Sequence, residues 1–209
     1  CENLGIDYLC TPFSAVAADI LDKELDLKAF KTGSGELTNI PLLKHIASKG
    51  RPMIISTGMA LIEEIQETVD AIKETGTPFA LTHCVSAYPT PYNRVNLHNI
   101  PRYRELFNVP VGLSDHSIGI YTAIGSVALG ASIIEKHFTL DKLQSGPDHP
   151  VSLEPYDLGE LVKGCRAVFE ARGDKREIFP EEEPIIAWAR EIVVFVIYIN
   201  AGIAPSPGL

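Results

Sequence analysis

Short apolar runs rich in β-forming residues recur along the chain at residues 8–11, 29–32, 53–56, 79–83, 111–113 and 132–136. Each is followed by a stretch whose apolar positions repeat at helical spacing: 15–25, 41–48, 62–75, 101–107, 121–129 and 155–171. Pro41, Pro101 and Pro155 fall in first helical turns, where a missing N–H costs nothing. Gly50, Gly76 and Gly130 fall where a helix stops, because glycine adopts the left-handed cap conformation cheaply. Six β–α units in series predict a parallel α/β sheet, either open and doubly wound or closed as a (β/α)8 TIM barrel.

The strand ends favour the barrel. Every strand-like run finishes on polar or ionisable residues: Thr11; Lys31 with Ser34; Ser56; His83 with Ser86; Ser114 with His116; Glu135 with His137. A barrel gathers the loops after all its strands around one site, whereas a doubly wound sheet concentrates such residues at one switch point. A barrel needs eight units and six are legible, so the expected fold is an incomplete TIM barrel over residues 1–176, with the missing pair placed ahead of Cys1. Residues 177–209 read as a linker, acidic and proline-bearing at 179–184, and an apolar strand at 192–199 that starts a second domain.

Composition narrows the function classes. The 209 residues are 45% hydrophobic and 22% charged, the balance of a globular chain with a real core. The formal net charge of -9 argues against a nucleic-acid or anionic-membrane partner, so an anionic substrate must be held by a local positive site. Cys1, Cys10, Cys84 and Cys165 show no metal or redox spacing and read as reduced thiols of a cytoplasmic protein. The sequence carries no apolar run of bilayer length and no signal-peptide layout.

Several short motifs carry candidate chemistry. Lys31 to Glu36 (KTGSGE) places glycine-rich backbone and a lysine between a strand and a helix, which suits an anion as well as it suits a plain turn. His116 and His137 end neighbouring strand candidates, close enough for two imidazoles to share an ion, with Asp115 and Glu135 beside them; two hydrogen-bonded loop histidines are the plainer reading. Two histidines without a firm third ligand suit an ion that keeps several waters, such as manganese or magnesium, better than structural zinc. His83 and Cys84 are adjacent on a strand and so point to opposite faces, which excludes a dyad between them. Ser56 to Met59 (STGM) is a helix-entry turn that can bind an anion or simply cap. Asp148, in Gly146-Pro147-Asp148-His149, can meet sugar hydroxyls or merely form a turn, and Glu63, Glu64 and Glu67 form a solvated helix face.

In order and spacing, KTGSGE (31–36), STGM (56–59), HCVSAYPTPY (83–92), GLSDH (112–116), EKHFTLD (135–141) and GPD (146–148) resemble the N-acetylneuraminate (sialic acid) synthase family, including its legionaminic-acid relatives. The resemblance covers about residues 8–172. It implies a TIM barrel followed by an antifreeze-like domain in a domain-swapped homodimer. It implies condensation of phosphoenolpyruvate with N-acetylmannosamine or a related N-acetylated amino sugar, using manganese, or magnesium or cobalt in its place. By the same matching His116 and His137 bind the metal, and Lys31, Ser34, Ser56, Ser86 and Ser114 hold phosphoenolpyruvate, with Thr11 near its site. Glu36, Tyr88 and Asp148 face the sugar, and Lys31, Glu36, His116 and His137 form the catalytic set. The family's first two βα units and most of its closing domain have no counterpart here, so the chain is not expected to turn over by itself. Three alternatives stay open: a pseudaminic acid synthase, against which the Gly33-Ser34-Gly35 turn speaks; a barrel metallohydrolase; and a non-catalytic barrel fragment.

Overall fold

The computed structural model describes residues 1–189. Strands β1 (Phe30–Thr32), β2 (Met53–Ser56), β3 (Phe79–Cys84), β4 (Val111–Asp115) and β5 (Ile134–Lys136) form one parallel sheet in sequential order. Helices α1 (Ala15–Glu24), α2 (Ile40–Ala47), α3 (Ile62–Lys73), α4 (Tyr92–Val95), α5 (Asn99–Phe107), α6 (Tyr121–Ala128) and α7 (Pro155–Ala171) make the connections, giving a parallel α/β half-barrel.

Local chemistry sets the helix ends. The Ser14 hydroxyl accepts from the Ala17 N–H and the Asn39 side chain accepts from the Leu42 N–H, each satisfying a donor that has no partner within its helix. At α3 the Glu64 carboxylate accepts from the Leu61 N–H at 2.7 Å. Gly50 and Gly76 both take φ 73°, as expected of residues that stop α2 and α3.

The alternation of strand side chains divides the sheet into two faces. Phe30, Met53, Ile55, Leu81, Val111 and Leu113 point to the helices and join Leu43, Ile46, Ile65, Val69, Ile72, Ile100 and Phe107 in one buried core. Phe30, Leu43, Ile55, Ile65, Leu81 and Ile100 are completely buried, and each contributes about 1.5–3 kcal/mol relative to exposure. The opposite face carries Lys31, Ser56, Thr82, Cys84, Ser114 and Glu135, held in line by the pairings Ser56 with Thr82, Cys84 with Ser114 and Ser114 with Glu135.

Two expectations change. The run at 8–11 is not a strand: only Cys10 bridges Phe30 in parallel, and Tyr8 and Leu9 stay 49% and 43% exposed. It has a neighbour on one side alone among the described residues, so nothing buries its outer positions and the ladder does not extend. The helix expected at 101–107 begins two residues earlier, at Asn99, and leaves Pro101 in its first turn. The five described strands form an open parallel half-barrel, consistent with the incomplete TIM barrel expected.

The chain divides into a compact unit over Cys1–Arg172 and a second over Gly173–Leu209. The expected boundary after residue 176 falls just beyond that division. In the second unit Pro180–Glu182 forms a 3-10 turn and residues 183–189 are helical, within the segment read as a linker. The strand expected at 192–199 lies outside the described residues.

Candidate active site

A cavity of about 580 Å³ opens at the C-terminal ends of the strands. Of the residues singled out in the sequence, Lys31, Ser34, Ser56, Ser86, Tyr88, Ser114, His116 and His137 line it. Thr11, Glu36 and Asp148 do not. Glu36 accepts from Asn39 Nδ2 at 2.8 Å, and Asp148, with 59% of its side chain exposed, stands 3.7 Å from His137 Nδ1 at the rim. Sequence reasoning gave no cavity role to Phe13 and left Cys84 as a buried structural thiol, yet both line the wall.

One end of the cavity gathers a lysine and several hydroxyls. Lys31 Nζ lies 3.3 Å from Glu135 Oε1, and the lysine side chain is 13% exposed. The Gly58 N–H donates to Ser34 Oγ at 2.9 Å, and Ser56 Oγ and Thr82 Oγ1 are 2.7 Å apart. Gly58 is required here: a Cβ would stand 2.4 Å from Ser86 Oγ and 2.7 Å from Ser34 Oγ. The preceding strand delivers Ser56 and the glycine lets two further hydroxyls crowd around its backbone.

At the other end two imidazoles converge. The His116 and His137 ring centroids are 5.3 Å apart at 69°. Tyr88 covers His116 at 4.1 Å and meets His137 edge-on at 5.5 Å. His116 Nδ1 donates to the Val85 carbonyl at 2.9 Å. In the neutral ring that bond leaves Nε2 with a free lone pair, the arrangement that orients metal-ligating histidines. Asp148 stands in the corresponding place beside His137 Nδ1. Burial opposes charge on His116, but the Cys84 thiol, the Val85 carbonyl and Glu135 outweigh it and raise the pKa. On His137 burial wins over Asp148, and with the positive charge of His116 it lowers the pKa. Among the described residues no group of three or more His, Cys, Asp or Glu side chains is arranged to hold a metal ion, so the two imidazoles at this end are fewer protein donors than a closed structural metal site needs.

Asp115 is not part of this donor set. It sits on the other face of β4, 2.9 Å from Lys136 Nζ, with side chains 1% and 3% exposed. His83 likewise turns to the helix side, where its Nε2 donates to the Val95 carbonyl at 2.6 Å. The neighbour of Cys84 is therefore His116, with Sγ and Nδ1 3.9 Å apart. Burial raises the Cys84 pKa, and hydrogen bonding to His116, Ser34 and Ser114 more than reverses it, for a net lowering.

A parallel half-barrel with a lysine and hydroxyls at one end of a strand-end cavity and paired imidazoles at the other is consistent with part of a TIM barrel, the class in which βα loops gather around one site. The chain belongs to the NeuB family, whose sequence profile matches residues 1–177. It is 46% identical over 176 residues to the N,N'-diacetyllegionaminic acid synthase of Campylobacter jejuni, covering 83% of this chain and 52% of that protein. It is 40% identical over 183 residues to the N-acetylneuraminate-9-phosphate synthase of Homo sapiens, covering 87% and 51%. The crystal structure of N-acetylneuraminic acid synthetase from Leptospira borgpetersenii in complex with citrate matches with a TM-score of 0.83 at 35% identity, covering 90% of this chain and 66% of that one. A pseudaminic acid synthase of Campylobacter jejuni is 38% identical over 174 residues, 83% of this chain and 50% of that protein. The chain spans about half the length of the curated relatives it matches. No helix of the described residues is long and apolar enough to cross a membrane.

Proposed function

We propose that this chain carries the catalytic cavity of a nonulosonic acid synthase, which joins phosphoenolpyruvate to N-acetylmannosamine or a related N-acetylated amino sugar and releases phosphate. The observation that carries the reading is the single cavity that unites Lys31 and four serines with His116 and His137. An enolpyruvyl phosphate needs donors at two anionic ends, and the cradle supplies them without overall positive charge. Lys31 neutralises the anion once it is drawn from Glu135, and Ser34, Ser56, Ser86 and Ser114 donate to its oxygens. Preorganised donors of this kind are usually the largest catalytic contribution.

A divalent ion, manganese in first place, held by His116 and His137, would supply Lewis-acid polarisation of the open-chain sugar aldehyde. Tyr88, over His116 and edge-on to His137, would face the sugar, with Asp148 beside His137 and, by the family motif, Glu36 as further hydroxyl contacts. Carbon 3 of phosphoenolpyruvate forms the new bond to the aldehyde carbon, water adds at carbon 2, and phosphate departs with the bridging oxygen. Lys31 and the serines hold the departing anion throughout.

Identities of 46% and 40% to a legionaminic and a sialic acid synthase, against 38% to a pseudaminic acid synthase, do not separate the sugars. The test is phosphate release from phosphoenolpyruvate by the full-length protein with manganese. Release that requires N-acetylmannosamine or a 2,4-diacetamido sugar is expected. Release without any sugar, or none with every sugar of this class, overturns the proposal.

A further inference from the structure

Asp115 and Lys136 are register partners across β4 and β5, and each directly precedes one of the two cavity histidines in the sequence. Their charged ends meet at 2.9 Å and are almost fully buried. The carboxylate is held on both oxygens: Oδ1 accepts from the Ser117 N–H at 2.9 Å, and Oδ2 accepts from Thr122 Oγ1 at 2.7 Å as well as from the ammonium. Lys136 Nζ also donates to the Ser117 carbonyl.

Stability alone is a poor reason for such a pair. Desolvating two charges offsets most of their attraction, and apolar replacements of similar volume are often neutral or better. What the pair supplies here is register. β5 has three residues, none of them fully buried, and pairs with β4 alone in the sheet. Apolar burial therefore does little to pin it. A slip of one residue would exchange the faces of β5, turning His137 toward the helices and Lys136 into the cavity. That slip would also strand both charges of the pair. Gly112 acts in the same direction, since a Cβ there would stand 2.4 Å from the Ile133 carbonyl oxygen and force the two strands apart.

We propose that the Asp115–Lys136 pair, oriented by Thr122, is the positioning element that makes His116 and His137 converge. The proposal rests on reading those histidines as the ligands of a divalent ion. Asp115 and Thr122 are not in the cavity lining, and Lys136, which is, has its ammonium buried against Asp115 and the Ser117 carbonyl. They act by fixing where the two imidazoles leave neighbouring strands.

The test is titration of the full chain with manganese, following free ion by electron paramagnetic resonance, alongside inorganic phosphate binding and thermal melting. The double substitution Asp115→Asn with Lys136→Met leaves no buried charge, and Thr122→Val keeps both shape and ion pair while removing its bonds to the carboxylate and to the Ser117 hydroxyl. Outer partners bonded directly to metal ligands are worth about 10–100-fold in affinity; this pair acts one step further out, through the strand backbone, so the lower end of that range applies. The double variant is expected to bind manganese about tenfold more weakly, and Thr122→Val more weakly by a smaller factor. Both should bind phosphate as the unaltered chain does. Unchanged manganese affinity in Thr122→Val or in a cooperatively melting double variant overturns the positioning role, as does a matching loss of phosphate affinity. Absence of manganese binding to the unaltered chain, or binding that survives His116→Ala, instead overturns the metal reading underneath.

Discussion

Substituting Gly58→Ala separates the cradle from the fold that carries it. A Cβ at this position would stand 2.4 Å from Ser86 Oγ, 2.7 Å from Ser34 Oγ and 3.1 Å from Cys84 Sγ. Gly58 is not among the residues with positive φ, so alanine meets no backbone penalty and crowding is the whole effect. Both hydroxyls end short side chains that can swing away, which keeps the stability cost near the lower limit for overpacking, about 1 kcal/mol. Anion binding suffers more, because the swing removes two donors from the cavity and takes Ser34 from the Gly58 N–H. At about 0.5–1.5 kcal/mol for each neutral hydrogen bond, the loss totals about 1–3 kcal/mol, or roughly 5- to 150-fold in affinity. Calorimetric titration with phosphoenolpyruvate measures the affinity, and thermal melting measures the fold. A variant that binds phosphoenolpyruvate within about twofold of the unaltered protein would refute the role given to these serines.

Two further perturbations address the framework. Gly112→Ala would press a methyl against the Ile133 carbonyl oxygen at 2.4 Å; backbone cannot swing aside, so unfolding free energy should fall by about 1–3 kcal/mol in urea denaturation. An unchanged urea midpoint would contradict the close approach of the two strands. Burial holds the His83 pKa below its ordinary 6.5, against the pull of the Val95 carbonyl. Because the folded value is depressed, its contribution to stability is complete above 6.5 and is lost as pH falls through the lowered value. His83→Asn should therefore lose less stability than the unaltered chain between about pH 7 and about pH 5, and equal losses in urea titrations would disprove this.

How much was legible follows from the range of each interaction. The helix at 155–171 and the strand at 53–56 match the structure residue for residue, because proline at a first turn and a short β-branched run are local signals. The eight cavity residues were legible for a related reason: strand ends in a parallel α/β sheet meet at one rim whatever the details. The run at 8–11 misled because β character shows only when a neighbour buries it, and its outer neighbour is absent from the described residues. Asp115 was counted with the histidines, although alternation along β4 already places adjacent residues on opposite faces. The same rule excluded His83 as the partner of Cys84. It could not supply His116, which arrives from another strand. Glu36 and Asp148 were suggested by motif alone, and motif carries no distance to a cavity.

The central claim is that His116 and His137 ligate one ion. Manganese-loaded protein carrying 15N-histidine, observed by pulsed electron paramagnetic resonance, tests it directly. Two imidazole nitrogens coupled to one bound ion are predicted, falling to one in His116→Ala or in His137→Ala. Manganese bound with no histidine nitrogen coupled, or a spectrum that neither substitution alters, would contradict the account.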